Sequence, residues 1–215
     1  MTHLPVPAVA YAGARDASAP LVVLLHGRGA SEVDIVGLAA HLPEGPAYAA
    51  VRAPIAEGGG YAWFANRGIG RPVAESLAET MAWFRAWLEE VATEERPVVL
   101  VGFSGGAAFA GGLLLDDPDR FAGAAVLYGT LPFDAGVPVT PGRLAGVRVF
   151  VAQGEQDRVI PRELLDRTWD YLHGEADADL TAYRDGGGHG LTAPGLAALR
   201  DWLATLVPRV TAGRR

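Results

Sequence analysis

Apolar runs alternate with helix-spaced apolar positions along the whole chain. LVVLL (Leu21–Leu25), AYAAVRAP (Ala47–Pro54), PVVLVGF (Pro97–Phe103), AGAAVLYG (Ala122–Gly129), VRVFVAQG (Val147–Gly154) and DLTAYRD (Asp179–Asp185) predict strands. Most are continuous apolar runs, not period-two alternations, so they predict a sheet covered on both faces. SEVDIVGLAAHL (Ser31–Leu42) predicts a helix with Ser31 as N-cap and Asp34 near its third position. From Val73 to about Glu95, Leu77, Met81, Phe84, Leu88 and Val91 recur every three or four residues, as an amphipathic helix requires. Further helices are predicted from Gly105 to about Leu115, from Pro161 to about His173 and from Pro194 to about Leu206. Strand and helix alternating in this way predict an α/β fold with a mostly parallel, doubly wound sheet and helices on both faces.

Two stretches stand outside that rhythm. Glu57–Pro72 reads as a long glycine-rich loop carrying aromatics, and Leu131–Gly146 as a strand-to-strand connection too short for a cap domain. No internal repeat or linker divides the chain, so its 215 residues are expected to form one domain, residues 1–215.

Composition narrows the function. The formal charge is −7 with no basic stripe, which argues against nucleic acid or an anionic membrane as partner; Arg214 and Arg215 read as a solvated tail. There is no cysteine, so disulfides, thiolate nucleophiles and Cys-ligated zinc are excluded. The start, MTHLPVPAVAYAGA, lacks a cationic n-region and carries two prolines, a poor signal peptide. No apolar run reaches the roughly 18 residues of a membrane span. A cytoplasmic location is the expectation.

In a doubly wound sheet, ligands bind beyond the carboxyl ends of the strands. The residues there include Gly102-Phe103-Ser104-Gly105-Gly106, a G-x-S-x-G between a strand and a helix. Such a turn lifts a serine hydroxyl clear of the sheet, and glycines two residues either side relieve the crowding. The competing reading is a glycine-rich turn with a capping serine. A serine nucleophile needs a base and an orienting acid, expected here in the order Ser, Asp or Glu, His. Downstream histidines are His173, at a helix end where a cation suits the dipole, and His189, among glycines directly after a strand. His189 is the candidate base. Of the acids, Asp157 follows VRVFVAQG in a short loop. Asp166 and Asp170 fall inside the next helix, Asp185 is placed to shape the His189 loop, and Glu155 is the fallback. Asp157 is the candidate acid, with a helix cap as its alternative role. An oxyanion needs two N–H donors, for which the backbones of Gly105 and Arg28 are the candidates. His26 is expected to brace the Arg28 loop through backbone hydrogen bonds.

With those residues assembled, the chain resembles the phospholipase/carboxylesterase group of the α/β-hydrolases, the acyl-protein-thioesterase-like minimal serine hydrolases. The resemblance rests on LLHGRGA, APIAEGGGYAWF, VGFSGGAA, QGEQDRVIP and GGGHG, in that order. It implies Ser104 as nucleophile, His189 as base, Asp157 as acid and the N–H groups of Arg28 and Gly105 as oxyanion donors. It implies hydrolysis of a small-molecule carboxylic ester or thioester with a small to medium acyl group, through an acyl-enzyme, without metal or organic cofactor. The segment holding Tyr61, Trp63 and Phe64 corresponds to one that contributes to substrate binding. Two departures stand out: the family usually has glutamine where this chain has Gly105, and commonly HG where it has Gln153-Gly154. A non-catalytic binding module on this fold and an acyltransferase or perhydrolase using the same triad are the rival functions. A homodimer is compatible with the chain, but no residue specifies one.

Overall fold

The computed structural model describes residues 4–207, so Arg214 and Arg215 and the first three residues of the signal-peptide reading lie outside the described residues. Seven strands form one sheet: β1 (Val9–Gly13), β2 (Leu21–Leu25), β3 (Ala47–Val51), β8 (Val98–Phe103), β9 (Gly123–Leu127), β10 (Arg148–Gly154) and β11 (Asp179–Asp185). Their spatial order is β1-β3-β2-β8-β9-β10-β11, and all pairings are parallel except β1 with β3. The α/β, mostly parallel sheet expected from the runs is therefore present. The exception, β1, was hidden because VAYAG is short, follows a proline-broken stretch and is half-exposed at the sheet edge.

Alternate residues of each strand feed two separate cores. Leu21, Val23 and Leu25 point to the face covered by α2 (Ala74–Val91), α3 (Gly105–Asp116) and α4 (Arg162–Asp170). Val22 and Leu24 point to the opposite face, covered by α5 (Ala193–Leu206) and by the segment after β2. Period-two geometry thus serves two apolar faces, which is why the runs are unbroken. In α2, Leu77, Met81, Phe84 and Leu88 are buried as their spacing predicts.

The predicted helix over Ser31–Leu42 is only one α-turn, α1 (Glu32–Ile35), continued as a 3-10 segment over Val36–His41. Ser31 does open it: its backbone N–H and hydroxyl both donate to the Asp34 carboxylate, at 2.8 and 2.7 Å. Gly37 one residue into the 3-10 segment disfavours a longer α-helix. The glycine-rich loop folds as two small hairpins, β4 (Ile55–Glu57) with β5 (Gly60–Ala62) and β6 (Asn66–Gly68) with β7 (Arg71–Pro72). Among the described residues no helix is long and apolar enough to cross a membrane.

The loop after β2 is braced by His26. Its Nδ1–H donates to the Gly27 carbonyl at 2.7 Å, and its Nε2 accepts from the Ala53 N–H at 3.0 Å. Burial pushes its pKa below the ordinary 6.5. As pH falls below about 6.5 the unfolded chain takes up a proton that the folded state resists, so stability is lost down through the depressed pKa. Urea midpoints between pH 8 and pH 5 should fall in the wild type. They should fall less in His26→Gln, which starts lower at pH 8 but carries no titrating ring.

A second fold-level prediction concerns close backbone approach. A Cβ on Gly106 would lie 2.1 Å from the Leu25 carbonyl oxygen, whereas one on Gly37 would meet nothing within 4 Å. Gly106→Ala should lower the unfolding free energy by about 1–3 kcal/mol or more. Gly37→Ala should leave it level or raise it, both read from urea titrations.

Candidate active site

The turn between β8 and α3 sets the site. Ser104 there has φ 54° and ψ −114°, in the left-handed half of backbone space that L-residues avoid. Holding a non-glycine residue so costs on the order of 1–3 kcal/mol, and it persists only where the surroundings enforce it. They do: a Cβ on Gly102 would sit 2.2 Å from the Gly106 carbonyl oxygen, so the turn closes only with glycine on both sides of Phe103-Ser104-Gly105.

The hydroxyl so presented meets a histidine. Ser104 Oγ lies 2.9 Å from His189 Nε2, and His189 Nδ1 lies 2.8 Å from Asp157 Oδ2. With Nδ1–H donating to the carboxylate, Nε2 is free to accept the serine proton. The Asp157 side chain has no exposed surface, and the His189 side chain is 16% exposed. The other carboxylate oxygen accepts from the N–H groups of Val159 and Ile160, at 2.8 and 3.1 Å. Asp157 thus shapes the turn before α4 as well as facing the imidazole.

The loops that carry His189 and Asp157 are fastened to each other. The Gln156 N–H donates to the Gly187 carbonyl at 2.9 Å and the Glu155 N–H to the Asp185 carbonyl at 2.7 Å. A Cβ on Gly154 would come within 2.2 Å of the Gly188 carbonyl oxygen. Gly154, in the departing Gln153-Gly154 pair, therefore has a part that reading the sequence missed; its place just before the acid was the only signal. Gln153 itself is structural, donating to the Leu165 carbonyl and accepting from Arg184, at 2.8 Å each.

Asp185 anchors the His189 loop, as its position at the end of β11 suggested. It accepts from the Gly187 N–H at 2.8 Å, the Thr192 hydroxyl at 2.6 Å and the Tyr128 hydroxyl at 3.0 Å. Burial pushes its pKa up, but these hydrogen bonds outweigh that and hold it below the ordinary carboxylate value. Burial also pushes the Tyr128 hydroxyl up to about 12, so it stays a donor. The remaining candidates stand away. Asp166 pairs with Arg162 at 3.0 Å, Asp170 and Glu155 are exposed, and His173 stacks on Trp169 with its Nδ1 2.8 Å from the Trp169 carbonyl oxygen.

Arg28 and Gly105 are neighbours across the hydroxyl's turn: a Cβ on Gly105 would lie 3.3 Å from the Arg28 backbone nitrogen. Gly105 opens α3, so its N–H has no partner one turn back. The Arg28 side chain turns outward, to the Glu57 carboxylate and the Phe64 carbonyl, the latter at 2.9 Å. It ties the loop after β2 to the first small hairpin.

A cleft of about 940 Å³ opens over Ser104 and His189, lined by Phe64 and Ile160, which pack with the core under α2, α3 and α4, by Ile69, whose neighbour Gly70 faces Leu164 of α4, and by Ile35, Leu38 and Leu191, which pack with the core under α5. Of the three predicted rings only Phe64 lines it. Trp63 is buried, stacks on Phe109 at 4.5 Å and donates to the His26 carbonyl at 2.8 Å. Tyr61 lies under Arg52, whose guanidinium carbon sits 4.7 Å from the ring centre. The hydrophobic spacing of AWF gave no way to tell which ring faces outward, because the hairpins were not foreseen. Among the described residues no group of three or more His, Asp or Glu side chains is placed to hold a metal ion.

The sequence profile of the phospholipase/carboxylesterase family matches residues 8–207. MhqD of Bacillus subtilis (strain 168) is 26% identical over 186 residues, covering 85% of this chain and 91% of that protein. The carboxylesterase of Bacillus cereus superposes with a TM-score of 0.81 at 25% identity, over 93% of this chain and 94% of the other. A carboxylesterase from Mesorhizobium loti gives 0.75 at 27%, over 86% and 88%. A profile match across nearly the whole chain, on this sheet order, settles its kinship: the chain belongs to the phospholipase/carboxylesterase family of ester-hydrolysing α/β-hydrolases.

Proposed function

We propose that the chain is one α/β-hydrolase domain that cleaves carboxylic esters or thioesters of small to medium acyl groups through an acyl-enzyme on Ser104. The observation that carries this is the unbroken hydrogen-bonded row from the Ser104 hydroxyl through His189 to the buried Asp157 carboxylate. His189 Nε2 takes the hydroxyl proton as Ser104 Oγ attacks the carbonyl carbon. Asp157 fixes the tautomer and stabilises the imidazolium. The carbonyl oxygen, now anionic, is received by the N–H groups of Arg28 and Gly105 at the positive end of α3. Collapse expels the alcohol or thiol with the proton from His189. Water then repeats the sequence and frees the acid. No step calls for a metal or organic cofactor.

The acyl group is assigned to the side of the cleft lined by Phe64, Ile69 and Ile160. Trp63 and Tyr61 stay outside the cleft, Trp63 stacked on Phe109 and Tyr61 under Arg52. The cleft lies within the roughly 300–1,000 Å³ usual for small-molecule sites, which suits a small-molecule ester.

Ser104→Ala should remove labelling by a fluorophosphonate and lower kcat on p-nitrophenyl butyrate by at least about 10⁴-fold, with the far-UV spectrum unchanged. A folded wild type that resists the probe would leave a binding module as the reading. Asp157→Asn should lower kcat by up to about 10⁴-fold while KM moves little, since geometry survives and the tautomer is lost. Its kinetics on the same ester give the check.

A further inference from the structure

The cleft over Ser104 is two-sided, and its two walls belong to different cores of the molecule. Phe64, Ala108 and Ile160 pack with the core under α2, α3 and α4. Ile35, Leu38, Phe103 and Leu191 pack with the core under α5. The cleft therefore crosses the carboxyl edge of the sheet from one face to the other, with the serine at the crossing.

The imidazole stands on the second side. The His189 ring lies 5.2 Å from the Phe103 ring, and Leu191 follows it by two residues. That placement distinguishes the two halves of an ester. When the tetrahedral adduct collapses, the bond between the carbonyl carbon and the leaving oxygen breaks and its electron pair goes to that oxygen. The proton on His189 Nε2 follows, leaving a neutral ring and an acyl group on Ser104 Oγ. The leaving oxygen must be within hydrogen-bond reach of Nε2 at that moment. The group attached to it extends along the His189 wall.

We infer that the wall built by Ile35, Leu38 and Leu191 is a leaving-group subsite that takes a neutral, apolar alcohol or phenol. The inference rests on the proposed roles of Ser104 and His189. Its chemistry comes from what the wall offers. Three aliphatic side chains line it, half-buried and so reachable. The ionisable groups beside them are Asp34 and His41. The Asp34 carboxylate is held ionised by Ser31, which lowers its pKa. The one guanidinium of the cleft, Arg28, is engaged by Glu57 and the Phe64 carbonyl. A phosphate-bearing leaving group such as coenzyme A would thus face a carboxylate and, among the described residues that line the cleft, no unengaged guanidinium, whereas an aryl ring would cover apolar surface. The α1 turn and its 3-10 continuation, where an α-helix was predicted, supply Ile35 and Leu38 to this wall.

The test compares phenyl acetate with 2-naphthyl acetate at pH 8 and adds acetyl-CoA as the anionic leaving group. In the wild type the second ring should raise kcat/KM about tenfold, the worth of its added apolar area. Acetyl-CoA should be slower than either ester. Leu38→Gln and Leu191→Gln should each bring the ratio of the two esters toward one. Ile69→Gln should leave the ratio in place and instead lower kcat/KM on p-nitrophenyl butyrate relative to p-nitrophenyl acetate. Two wall variants guard against one failing to fold, which thermal melts report. A wild-type ratio near one, a ratio moved by Ile69→Gln and not by the wall variants, or preference for acetyl-CoA would overturn the subsite. If Ser104 takes a fluorophosphonate while the ratio stays flat, the subsite alone falls. If no ester turns over and Ser104 is unlabelled, the hydrolase reading falls with it.

Discussion

Main-chain atoms at the carboxyl edge of the sheet approach so closely that only glycine fits between them, and the arrangement of the site depends on this. Gly106 lies against the carbonyls of Leu25 and His26, Gly102 against Gly106, and Gly154 against the carbonyls of Gly187 and Gly188. The first two force the turn that gives Ser104 its positive φ. The third brings the loop after β10 against the loop after β11. Remove the side chains and three strand ends can share one rim; add one methyl and a segment must move. Packed interiors do not absorb such displacement gradually.

Upon that contact rests a polar layer whose members each hold the next. Asp185 secures the His189 loop, Asp157 secures its own turn and faces the imidazole, and His26 with Trp63 secures the loop that carries Arg28. Buried groups of this sort are costly unless satisfied, and these are satisfied mostly by backbone N–H and C=O groups. The strain at Ser104 is therefore carried by the whole rim. The apolar walls of the cleft come from the two cores, so packing and cleft lining share residues such as Phe64 and Leu38.

Much of this was legible in the chain. Unbroken runs such as LVVLL announced a sheet covered on both faces, and the leucines and phenylalanine of α2 announced its buried stripe. The order of Ser104, Asp157 and His189, after β8, β10 and β11, places them at one edge, because parallel strands all end there. Other features were illegible for physical reasons. The edge strand β1 is short and half-exposed and follows a proline-broken stretch. The segment over Ser31–Leu42 has helical spacing, yet Gly37 lets it tighten to 3-10 geometry. Which ring of Tyr61, Trp63 and Phe64 meets the cleft depends on hairpins pinned by Arg28 and Arg52, contacts that join residues far apart in sequence. Gly154 reads as any strand-end glycine until the carbonyls across from it are known.

The most direct test of the account is the crystal structure of the protein after reaction with a small alkyl phosphonate. Phosphorus should be bonded to Ser104 Oγ, with its unesterified oxygen about 3 Å from the N–H groups of both Arg28 and Gly105 and His189 still paired with Asp157. Phosphorus on another residue, or an oxygen turned away from both N–H groups with the imidazole displaced, would contradict it.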